Sequence, residues 1–162
     1  MTPAQEINQP TNPKTRTIRE WQADVHLRNR LKGFYDYEHD LAVVEELFEV
    51  LETLAPQPDT DRALSALCRI LNDYRRAIIE RKLLLVIGEV CEAHEELRAG
   101  HDPAQIYRND GSDKPEGVPI ELADAQIRLL DVQAACGNDS ESAIALKHEF
   151  NGTRPHKHEK AF

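Results

Sequence analysis

Two acidic pairs with identical spacing stand out: Glu89-Val90-Cys91-Glu92 and Glu121-Leu122-Ala123-Asp124. Residues three apart on a helix project from one face, with β-carbons roughly 5–6 Å apart. If both segments are helical and adjacent, four carboxylates converge, and their mutual repulsion raises each pKa unless a cation joins them. Oxygen-only ligands at that density suit a hard divalent ion, Mg²⁺ or Mn²⁺ before Zn²⁺. Glu89, Glu92, Glu121 and Asp124 are therefore the candidate metal ligands.

The elements that must position them are helices. The chain has 162 residues, few aromatics, and nine prolines that all fall outside residues 14–55, 59–102 and 120–154. That punctuation predicts long helical blocks and one all-α domain over residues 15–162. Residues 1–14 have the composition of a disordered arm. Thr15 or Thr17 caps a first helix that ends near Lys32, before Gly33. Apolar spacing predicts a second helix from Asp40 to Leu54, and helix again over residues 61–99, as one rod or two. In that stretch Leu83, Ile87, Val90, Cys91, His94 and Leu97 form a stripe expected to face the core, with His94 packed within it. Gly88 inside the pattern implies close approach by another element. A polar loop follows, then a helix opening near Pro119, on which Glu121, Asp124, Arg128 and Asp131 lie between two apolar bands. A strip so flanked is poorly explained as a solvated face. Ser140 caps the final helix.

The net charge of −9 argues against a general nucleic-acid surface. Cys68, Cys91 and Cys136 show no paired spacing and read as reduced core residues of a cytoplasmic protein. The longest apolar run, residues 83–87, is too short to span a bilayer. Trp21, Asn29 and Phe34 flank an aromatic-rich turn and are candidates to hold a nucleobase, with core packing the alternative for Trp21. The last sixteen residues are basic and could meet an anion.

Taken together, Glu89/Glu92, a twenty-eight-residue gap and Glu121/Asp124 resemble the E-x-x-E…E-x-x-D signature of the all-α nucleoside triphosphate pyrophosphohydrolase superfamily, the MazG-like enzymes. The run from Leu84 to Glu92 is similar to the LLxxxGEvgE stretch of its dCTP-pyrophosphatase branch. Lys147, Asn151, Arg154 and Pro155 resemble its K-x-x-x-N-x-x-R-P ending, and Asn29, Lys32, Gly33 and Phe34 an N-x-x-K-G-F segment. The resemblance implies a helical bundle with a four-helix core, a homodimer or homotetramer, and Mg²⁺ held by the four acids. It implies cleavage of an NTP or dNTP to NMP and pyrophosphate, with Glu89, Glu92, Glu121 and Asp124 as catalytic residues, Glu92 and Glu96 the candidates for the base that orients an attacking water, and Lys147, Asn151 and Arg154 on the phosphates. Arg128 replaces the apolar residue usual four positions after the aspartate, and Cys91 stands where glycine is common. Competing readings are a non-catalytic helical adaptor, or the same fold acting on phosphoribosyl-ATP or on dUTP and dUDP.

Overall fold

A computed structural model describes residues 16–54 and 58–154. The expected N-terminal arm and the basic residues beyond Arg154 lie outside these.

The described residues form five helices and one short ribbon: α1 (Ile18–Leu31), α2 (Tyr37–Leu54), α3 (Pro58–Arg98), β1 (Tyr107–Arg108), β2 (Pro115–Glu116), α4 (Val118–Ala135) and α5 (Ser140–Gly152). The all-α class holds. Thr17 starts α1 through a capping box: its side chain accepts from the Glu20 amide, and the Glu20 carboxylate accepts from the Thr17 amide. Gly33, at φ +80°, turns the chain towards α2. Residues 58–98 form one unbroken helix of 41 residues, about 60 Å long. Arg75 pairs with Glu45 to hold α2 alongside it.

α3 and α4 run antiparallel, cross-linked by Lys82–Asp131 and, one turn further back along α4, by Glu89–Arg128. α1 lies antiparallel on α4 through His26–Asp131 and through Gln22, whose amide donates to the Asn138 carbonyl at 2.6 Å. The loop expected between α3 and α4 contains the antiparallel ribbon β1–β2, with Tyr107 opposite Glu116. Gly117 joins β2 to α4 at φ +115°, where a Cβ would come within 2.4 Å of the Gln105 carbonyl oxygen, so only glycine fits without strain. Asp139 caps α5 in place of Ser140, accepting from the Glu141 and Ser142 amides, while Ser140 is the helix's first, fully buried residue.

Several expectations are reversed. The α3 stripe faces outward: Leu83, Ile87, Val90 and Leu97 are all exposed, as is His94, which is not packed. Cys68, Cys91 and Cys136 are exposed free thiols. Among the described residues, nothing beyond its own chain neighbours and helix backbone lies within 4 Å of a Cβ placed on Gly88. The inward face of α3 carries Glu89 and Ala93, and the inward face of α4 carries Val118, Glu121, Ala125, Asp131 and Val132. The acidic strip, not the apolar stripe, meets the neighbouring helix.

Candidate metal and nucleotide site

Glu89 and Glu92 stand one turn apart on α3, and Glu121 rises from the first turn of α4. Each offers one carboxylate oxygen, and these three oxygens lie within 4.8 Å of one another. Glu121 is 3% exposed and Glu89 7%, while Glu92 is open to solvent. Burial pushes the Glu121 carboxyl above its ordinary range, Glu92 and Asp124 push it further, and the Lys114 ammonium opposes them. Among the described residues its carboxylate has no hydrogen-bond or ion-pair partner. Two carboxylates drawn out of water against a third make an arrangement that a divalent cation stabilises, and an all-oxygen donor set fits Mg²⁺ or Mn²⁺.

Asp124 is outside that trio. It is half-buried one turn further along α4 and lines an adjoining cavity of about 730 Å³ with Trp21, Asp24, Arg28, Asn29 and Lys32. Trp21 is 42% exposed there, with the Arg16 guanidinium 4.8 Å over its ring, so it is not a core residue. Phe34 is exposed and lines a second cavity, of about 300 Å³, with Asn29, Tyr37, Tyr74, Arg81 and Arg128. Asn29 borders both cavities. Trp21 and Asn29 thus share a cavity with Asp124, and Phe34 and Asn29 share one with Arg128 and Asp131 of the α4 strip.

Glu96 is engaged elsewhere. It lies 2.6 Å from His101 Nδ1, and the Tyr107 hydroxyl donates to it at 3.1 Å. The His101 contact first, and Tyr107 after it, hold its carboxyl below the usual range despite partial desolvation. This clasp ties the ribbon to α3 one turn beyond Glu92. The Lys114 ammonium, 3.1 Å from Glu116 on that ribbon, is raised above its ordinary value by Glu116 and, more weakly, by Glu121 and Glu92. Sequence periodicity gives no sign of Lys114, because its position comes from a turn-rich connection.

Lys147 and Asn151 are exposed on α5, and Arg154 is exposed just beyond its end. That helix is fastened through its first turn, where Arg19 reaches Asp139 at 2.5 Å and the Ser140 amide donates to Gln22 at 3.1 Å. No described contact joins these three residues to the carboxylate trio.

Beneath the site lies a buried polar group that sequence reading placed in the strip but did not interpret. Asp131 takes Lys82 at 3.0 Å and His26 at 3.2 Å. Burial alone would raise its carboxyl, yet Lys82, with Tyr35, Asn29 and His26, holds it below the ordinary range. Burial likewise drives the Tyr35 phenol far above its usual value. Among the described residues the Tyr35 hydroxyl completes no hydrogen bond of normal geometry, so its help to Asp131 is that of a nearby dipole.

No described helix is long and apolar enough to cross a membrane. Comparison with protein-family models, with curated proteins and with solved structures finds no match to this chain.

Proposed function

We propose that the chain is a Mg²⁺-dependent nucleoside triphosphate pyrophosphohydrolase of the MazG-like kind, releasing pyrophosphate from an NTP or dNTP. The observation that carries this reading is the meeting of Glu89, Glu92 and the buried, unpartnered Glu121 across two antiparallel helices. These residues would hold Mg²⁺ or Mn²⁺, with Asp124 close enough to act on Glu121 electrostatically. When bound, the ion supplies charge neutralisation at the phosphates and a more acidic attacking water.

The remaining steps belong to the chain. Glu92, the exposed member of the trio, is the one able to orient water arriving from solvent. Lys114 on the ribbon brings a positive charge to the same mouth. Trp21, Asn29 and Phe34 offer stacking and hydrogen-bonding surface in the flanking cavities. Glu96 acts by seating the ribbon.

The reading includes self-association in a cytoplasmic setting. Leu84 on α3 is 66% exposed, and Ile87, Leu122, Ile127 and Leu129 are exposed apolar side chains on α3 and α4. A second copy is the occupant we propose to cover them, as a homodimer or homotetramer. Lys147, Asn151 and Arg154 would reach a phosphate only in such an assembly.

A panel of ribo- and deoxynucleoside triphosphates, phosphoribosyl-ATP, dUTP and dUDP, scored for pyrophosphate or phosphate with Mg²⁺, tests the proposal. Pyrophosphate release lost in Glu92→Gln with unchanged circular dichroism supports it. A wild-type protein inert on every nucleotide makes the chain a non-catalytic helical adaptor, and cleavage of dUDP alone, at the same α–β bond but releasing phosphate, changes the substrate class.

A further inference from the structure

Arg128 touches both halves of the proposed site. Its Nε donates to Glu89 Oε1, and its side chain also lines the 300 Å³ cavity that holds Phe34, Tyr37, Tyr74 and Arg81. Lys82 lines the same cavity but is committed to Asp131. Arg81 makes no ion pair among the described residues.

A guanidinium on Glu89 and a divalent cation held by Glu89, Glu92 and Glu121 are like charges only a few ångströms apart. Their repulsion is weakly screened where two of the three acids are buried. The Arg128 stem is long and its side chain 41% exposed, so it has room to turn. The cavity beside it offers a destination with aromatic faces and a second guanidinium, a lining suited to a flat ring carrying an anionic group.

We infer that Arg128 is a positioning residue with two settings: on Glu89, and turned towards Arg81 to grip the anionic part of a nucleotide once the carboxylates are occupied by a divalent cation. The inference rests on the metal reading above. Arg128 and the cation then compete for Glu89, whereas Arg128 and the substrate anion cooperate. Removing the guanidinium has opposite effects on the two affinities, a signature that a simple structural brace cannot give.

The test uses full-length protein and two separate probes. Mn²⁺ binding is followed by electron paramagnetic resonance without nucleotide, and inorganic tripolyphosphate binding by calorimetry at saturating Mn²⁺. Arg128→Gln keeps a donor facing Glu89 while removing the charge, so the fold is retained. It should bind Mn²⁺ roughly fivefold tighter and tripolyphosphate roughly tenfold weaker than wild type. Arg81→Gln should weaken tripolyphosphate while leaving Mn²⁺ affinity alone. Mn²⁺ affinity unchanged or reduced in Arg128→Gln makes Arg128 a fixed brace and overturns the inference, as does unchanged tripolyphosphate affinity. A wild type that binds no Mn²⁺ sinks the metal reading as well; Mn²⁺ binding indifferent to Arg128 sinks this inference alone.

Discussion

Lys82 Nζ stands 3.0 Å from Asp131 Oδ2 at the seam between α3 and α4, with the Tyr35 ring 4.0 Å from the same ammonium. Both partners are largely removed from solvent. Lys82→Met would leave the Asp131 carboxylate buried and short of a cation, costing about 3 kcal/mol in urea denaturation. Adding Asp131→Leu should recover most of that loss, because an apolar pair of similar volume replaces the ionic one. A single variant as stable as wild type would show that the pair contributes nothing net.

Glu121→Gln separates binding from folding. The carboxyl is held above its ordinary range by burial and by Glu92 and Asp124, so a neutral amide relieves repulsion. Without added metal, the variant should melt at or above the wild-type temperature. Mg²⁺ should raise the melting temperature of wild type but not of the variant, and pyrophosphate release should fall at least about a hundredfold. An equal Mg²⁺-induced rise in both proteins would remove Glu121 from the ligand set.

Trp21→Ala should raise KM for nucleotide while leaving Mn²⁺ affinity as it is. Because Trp21 is substantially exposed, the stability change should stay within about 1 kcal/mol. A variant that unfolds would assign Trp21 to the core after all.

The α5 cap should contribute to acid sensitivity, beside Asp131 and Glu96, whose carboxyls are also held low. Asp139 is pulled down to about 2 by hydrogen bonds from the Ser142 and Arg19 side chains. A carboxyl whose folded pKa is depressed adds stability above its unfolded value, near 4, and loses it as pH falls towards 2. Asp139→Asn should therefore flatten the melting-temperature profile between about pH 4 and 2 and leave the neutral plateau only slightly lower. Thermal melts of both proteins across that range check this.

Gly117→Ala would force an L-residue to φ +115° with its Cβ against the Gln105 carbonyl. We expect the ribbon to lift from α3, freeing Tyr107 and His101 from Glu96, with a loss of about 2 kcal/mol. Amide exchange at Tyr107 and Glu116, which face each other in the ribbon, should accelerate well before that at Ala125.

Helix ends were legible because they are local. Thr17, Gly33 and Pro119 act within one turn, whereas the cap of α5 is Asp139, one residue before the Ser140 expected. The shared face of each acidic pair was legible too, since spacing of three sets it whatever lies opposite. The direction that face points was not legible. A sequence shows that α3 has an apolar side and an acidic side, but the inward choice depends on partners far along the chain, here Arg128 and Lys82. Reading the apolar stripe as core therefore misplaced His94, Cys91 and Gly88 together. The ribbon was hidden for another reason: two-residue strands are too short for alternation to register. Glu96 and Lys114 drew their surroundings from it.

The guanidinium of Arg128 and the carboxylate of Glu89 are 39 positions apart in the chain, with Glu92, the clasp and Glu121 all between them. Every group of the carboxylate cluster thus belongs to one helical hairpin, whose contacts span less sequence than the 105 positions between His26 and Asp131 that tie α1 to α4. Such a hairpin can assemble its chemistry early in refolding, before α1 or α5 has docked, and a quench-flow experiment would find the cluster's ion pairs among the first long-lived contacts.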